Sequence, residues 1–107
     1  MYKLCFYVPL AQAEVVKDAI FSVGAGDIGN YSHCCFETEG TGQFKPNAKA
    51  NPAVGHSGQI EKVAELKVEL VVEDSKIKQV INALIVAHPY EEPAYQVWPV
   101  LILDDLE

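Results

Sequence analysis

The sequence predicts an α+β domain with the order β-α-β-β-α-β, the split βαβ or ferredoxin-like arrangement: an antiparallel sheet with two helices on one face. Three observations predict it. Ala64 to Val72 alternates strictly, with Ala64, Leu66, Val68, Leu70 and Val72 set against Glu65, Lys67 and Glu69, the period of a half-buried strand. Two stretches, around Val15–Val23 and Ile77–Ile85, carry apolar residues at helical spacing. β-prone runs stand at both ends of the chain, and right-handed crossovers place both helices on the same side of the sheet.

The first strand is YKLCFYV, Tyr2 to Val8, rich in aromatic and branched residues and closed by Pro9. In the first helix Val15, Val16, Ala19, Ile20 and Val23 form the apolar stripe. Glu14, Lys17 and Asp18 face water, and Gly24 and Gly26 stop the helix. Ile28 to about Thr38 reads as the second strand, with Tyr31, His33, Cys35 and Glu37 on one face and Ser32, Cys34 and Phe36 on the other. Gly40 to Gly58, GTGQFKPNAKANPAVGHSG, is a breaker-rich loop with no period, too long for an ordinary connection.

After the third strand, Asp74 or Ser75 caps a helix whose stripe is Ile77, Val80, Ile81, Leu84 and Ile85. Pro89 disfavours helical geometry at His88 and ends it. Tyr95 to Leu103 is the last strand, in which Pro99 points to an edge or a bulge. The acidic tail, Asp104 to Glu107, is expected to be loose. The sheet face away from the helices carries Cys5, Tyr7, Tyr31, Cys35 and Val71 among its charges, a mixture that predicts cover by another subunit.

The chain is 107 residues long and half hydrophobic, the size of one domain (residues 1–107) that needs no disulfide or metal to hold its core. With 15 acidic against 8 basic residues the formal net charge is -7. No basic cluster faces a phosphate backbone, which argues against nucleic acid as a partner. Cys5, Cys34 and Cys35 are an odd number without a CxxC pair, unlike a secreted disulfide framework. The apolar run Leu4–Leu10 is too short for a signal peptide or a spanning helix. The expected setting is the cytoplasm, away from membranes.

Three motifs invite chemical readings. Gly24-Ala-Gly-Asp-Ile-Gly29 matches G-x-G-x-x-G, but it follows a helix and leads into a strand. A pyrophosphate there would meet the wrong end of a helix dipole, so a helix stop and a tight turn is the better reading. His33, Cys34 and His88 are candidate ligands for a divalent ion, zinc or copper, by donor type. Their spacing is not that of a structural zinc site, and Cys34, beside Phe36, reads better as a core residue. The third motif is HPYEEPAYQVWPV, His88 to Val100. Pro89 and Pro93 bracket Tyr90, Glu91 and Glu92 in a stiff corner. One carboxylate is expected to be tied to backbone or histidine and the other to face a cleft. The helix dipole is expected to favour protonated His88.

Beyond these physical readings, GAGDIGNYSHCCFETEGTGQFKP (Gly24–Pro46), the ANP at Ala50–Pro52 and HPYEEPAYQVWP (His88–Pro99) carry a family resemblance. The chain resembles, almost end to end, the inserted domain of the YqfO branch of the Nif-three-like proteins (the NGG-interacting-factor family). HPYE followed one residue later by proline is similar to the corresponding corner of CutA, a trimeric divalent-cation tolerance protein. The resemblance implies a PII-like fold, commonly a trimer with its sheets facing inward, and a long second-to-third-strand loop that reports ligand binding. Full-length members carry a two-metal, GTP cyclohydrolase-like site on a surrounding body that lies outside this stretch, so hydrolase activity is not expected of the domain standing alone.

The expectation is therefore a small non-catalytic module that self-associates, as a trimer or else a dimer, and binds a small ligand or divalent ion in a sensing role. Tyr90, Glu91 and Glu92, with Phe44, Lys45 and His56 from the loop, are the expected ligand contacts. The alternatives are a pure assembly module, and a metal-dependent hydrolase using Glu91 or Glu92 as acid or base.

Overall fold

A computed structural model describes residues 1–107. The elements are β1 (Tyr2–Pro9), α1 (Ala13–Phe21), β2 (Phe36–Phe44), β3 (Glu61–Val72), α2 (Ile77–Ala87) and β4 (Tyr95–Pro99). The four strands form one sheet of order β2-β3-β1-β4 in which every neighbouring pair is antiparallel. This is the expected β-α-β-β-α-β fold.

From Val68 to Val72 the alternation in β3 works as its period demands, whereas Ala64 is exposed and Glu65 buried. Val68, Leu70 and Val72 are buried with Leu4, Phe6 and Val8 of β1, Val16 and Ile20 of α1, and Val80 and Leu84 of α2. Each such side chain, fully removed from water, contributes about 1.5–3 kcal/mol. The other face of β3 pairs Val71 with Lys3, Glu69 with Cys5 and Lys67 with Tyr7. Phe36 lies opposite Glu69 and Trp98 opposite Lys3, so no helix covers them. Phe36 is 69% exposed and Trp98 40%.

Several boundaries depart from the sequence expectation. The second strand begins at Phe36, eight residues later than expected, and runs on through Gly40 and Gly42 to Phe44. Residues 28–35 are instead turns: Ile28 and Tyr31 exchange backbone hydrogen bonds at 2.9 Å each way, and His33 has φ +61. Left-handed backbone at a non-glycine residue breaks an extended run. Cys35 accordingly packs against the core, a place the sequence suggested for Cys34, and neither Tyr31 nor Cys35 belongs to the helix-free face of the sheet. In Gly24–Gly29 the glycines at 24, 26 and 29 all take positive φ, so the G-x-G-x-x-G is a turn following α1. Gly26 is buried there, and a Cβ would meet the Cys34 carbonyl oxygen at 2.7 Å.

The second departure lengthens the sheet. Gly40–Phe44 pair with Glu61–Glu65, whereas β1 reaches only to Glu65 through Pro9. A two-stranded ribbon therefore extends past the other strands, and the whole chain measures 51 × 25 × 23 Å along its principal axes. The unstructured connection shrinks to residues 45–60. The last strand also stops at Pro99, short of Leu103, since proline has no N–H to continue a ladder.

Candidate functional site

The corner after α2 is anchored by His88. Its backbone turns extended at ψ 139, as the following proline requires, and its ring swings under β1. Nε2 lies 2.7 Å from the Tyr7 carbonyl oxygen, to which it donates, and Nδ1 accepts the Tyr90 backbone N–H at 3.1 Å. Both ring nitrogens are thus committed, and the bonds require the neutral Nε2–H tautomer. Burial lowers the pKa of His88 from its ordinary 6.5 against the opposing pull of the Tyr7 carbonyl and Glu65. The expectation that the helix end favours a charged His88 is overturned, because desolvation outweighs the dipole in a ring that is only 6% exposed.

Anchored in this way, Tyr90 reaches Glu65 on β3, donating its hydroxyl to Oε2 at 2.8 Å. Burial and the Glu65 carboxylate raise the Tyr90 pKa. Its ring packs against His88 at 5.0 Å and against Phe44, from the ribbon, at 5.7 Å. Glu91 Oε1 accepts the backbone N–H of Asn51 at 3.1 Å, so the 45–60 connection folds back onto the corner. Glu92 is exposed.

Between the ribbon, its connection and the corner lies a cleft of about 960 Å³. Phe44, Lys45, Tyr90, Glu91 and Glu92 line it together, joined by Tyr7, Lys49, Glu65 and Lys67. Five of the expected ligand contacts are therefore neighbours. His56, the sixth, lies on the connection but outside the cleft lining.

The three candidate metal ligands are dispersed. Cys34 donates its backbone N–H to Gly26, which in turn donates to Val71, and Val71 is opposite Lys3. His88 abuts Tyr7, roughly 13 Å further along β1 at the usual strand rise. His33 packs on Phe21 at 4.8 Å. No three His, Cys, Asp or Glu side chains gather around one point in the chain.

Glu65 was invisible to sequence reading. It occupies the wet face of the clearest strand in the chain, beside Lys67 and Glu69, yet it is 8% exposed. The cause lies across the ladder at Gly42, where an added Cβ would stand 1.8 Å from Glu65 Oε1. The missing side chain makes room for the carboxylate. Only the strand pairing, which no local pattern reports, reveals that match.

The chain is 46% identical over 99 residues to a GTP cyclohydrolase 1 type 2 homolog of Halalkalibacterium halodurans, covering 92% of this chain and 27% of the relative. It is 50% identical over 98 residues to the homolog of the same name from Bacillus subtilis, covering 92% and 26%. No family profile matches it. Among solved structures, the Bacillus cereus protein related to NIF3 superimposes with a TM-score of 0.78 at 44% identity, over 92% of this chain and 25% of that one. CutA from Archaeoglobus fulgidus, described as a periplasmic divalent cation tolerance protein, superimposes with a TM-score of 0.66 at 17% identity, over 94% and 84%, a likeness of fold alone. The chain spans about a quarter of the length of the curated relatives it matches. Matched along nine-tenths of its own length by that quarter, and folded like CutA, the chain is homologous to one domain of these Nif-three-related proteins and has a PII-like, CutA-like fold.

Proposed function

We propose that this domain is a non-catalytic module that self-associates through the helix-free face of its sheet and binds a small ligand or divalent ion in a sensing role. The observation that carries the reading is the cleft. Two proline-fixed carboxylates, an aromatic pair and a foldable connection meet there, and the connection touches the corner through one bond, Asn51 to Glu91. A ligand that replaced that bond would move the connection, which is how occupancy would be reported. Corner residues between Pro89 and Pro93 lose little further entropy on binding.

Self-association is supported by Phe36 and Trp98, exposed on a sheet face without helices, and a trimer is the preferred assembly. The three cysteines are free, which suits a reducing cytoplasm, and no helix is long and apolar enough to cross a membrane. Glu91 and Glu92 are exposed, which favours binding over acid–base work, for which one of the two carboxyls would need burial. The test is calorimetry with zinc, copper and a library of small metabolites on wild type and Glu91→Ala. Saturable binding that changes in the variant supports the reading. Silence with every probe leaves assembly as the function.

A further inference from the structure

Glu65 is the least ordinary group in the cleft. Its Oε2 takes the Tyr90 hydroxyl, while Oε1 receives no hydrogen bond from the chain. No deeply buried side-chain oxygen lacks a partner, so Oε1 keeps some access to solvent, and Glu65 lines the cleft. A carboxylate this far from bulk water needs more than one neutral hydroxyl to offset the loss of hydration. Gly42 keeps that oxygen uncovered, because any side chain there would collide with it.

Tyr90, bonded to the other oxygen, packs its ring 5.7 Å from that of Phe44 at a tilt of 57°, and both rings line the cleft. Ring faces paired with an acceptor suit an ammonium group. The rest of the wall is mixed: Lys45, Lys49 and Lys67 line the same cleft together with Glu39, Glu91 and Glu92, and none of the three lysines is ion-paired within the chain. A purely anionic ligand would face four carboxylates, and a purely cationic one would face three lysines. A molecule carrying both signs a few bonds apart satisfies both walls.

Resting on the reading of the cleft as a ligand site, we propose that it takes a zwitterion of the amino-acid class, its ammonium on Glu65 Oε1 beside Phe44 and Tyr90 and its carboxylate on Lys45 and Lys49. Glu65 sets the specificity, since its partner is an N–H donor. Lys45 and Lys49 sit on the connection, so the carboxylate links occupancy to the position of residues 45–60.

Calorimetric titration of the common L-amino acids into the full chain tests this, with putrescine and succinate as controls of a single sign. The expected result is saturable binding of at least one amino acid and of neither control. Glu65→Gln, which keeps an acceptor for Tyr90, should weaken binding by about tenfold or more, the loss of one charge-assisted bond. The double variant Lys45→Met, Lys49→Met changes exposed side chains only and should do the same. Wild-type affinity in either variant overturns the proposal. So does binding of succinate, a nucleotide or zinc without any amino acid, although that outcome retains the cleft as a ligand site. No heat from any probe overturns both.

Discussion

At the scale of single residues, the corner depends on one imidazole kept neutral. Because the folded-state pKa of His88 is lowered, the unfolded chain binds the extra proton first as pH falls. Stability should therefore be level above about pH 6.5, fall as pH drops below it, and level off again under the folded-state value. Urea denaturation at about pH 7.5 and about pH 5 measures this. His88→Gln should remove His88's share of the pH difference while costing about 1–3 kcal/mol at the higher pH, since it leaves a buried backbone group unmatched. Tyr90→Phe retains the ring contacts with Phe44 and His88 but strips the hydroxyl from Glu65. It should cost about 1–2 kcal/mol by the same assay. An equal pH slope in wild type and His88→Gln would show that other groups dominate the titration.

At the scale of elements, legibility followed period. β3 and both helices could be placed from the sequence because Val68, Leu70 and Val72, and separately Val80 and Leu84, repeat at the spacing of one buried face. β2 could not, because its nine residues include two glycines and leave most side chains wet; its order comes from the ladder offered by Glu61–Glu69. The same cause hid Glu65, whose burial depends on a glycine two residues along the neighbouring strand. Of the site, the Tyr90-Glu91-Glu92 corner was legible through its prolines, and Phe44 and Lys45 through their place within the breaker-rich run. The dispersal of His33, Cys34 and His88 was not, since donor type carries no distance. Hydrogen exchange should follow the structure. Amides of residues 40–44 facing β3 should be protected, while most of 45–60 should exchange quickly, with Asn51 slowed by Glu91. Glu91→Ala should release Asn51 and leave the ribbon unchanged. Uniform slow exchange across 45–60 in the assembled protein would instead mark the connection as a subunit contact.

At the scale of the whole molecule, the sheet has one face sealed by two helices and one without a layer. Lys3 bridges Glu69 at 3.2 Å and sits 5.8 Å from the Trp98 ring, with Phe36 exposed on the same face. Replacing both aromatics, Phe36→Asp with Trp98→Asp, should disperse the assembly to single chains in light scattering while far-ultraviolet circular dichroism is preserved. The purified domain should release no product from GTP with zinc, manganese or magnesium added. Turnover that is lost in Glu92→Gln would make it an enzyme.

Native mass spectrometry of the chain purified from its own host reads assembly and occupancy at once. The expected spectrum shows more than one chain per particle, three being favoured, each retaining a small molecule that is absent from Glu65→Gln. A single-chain mass with nothing bound would contradict the account.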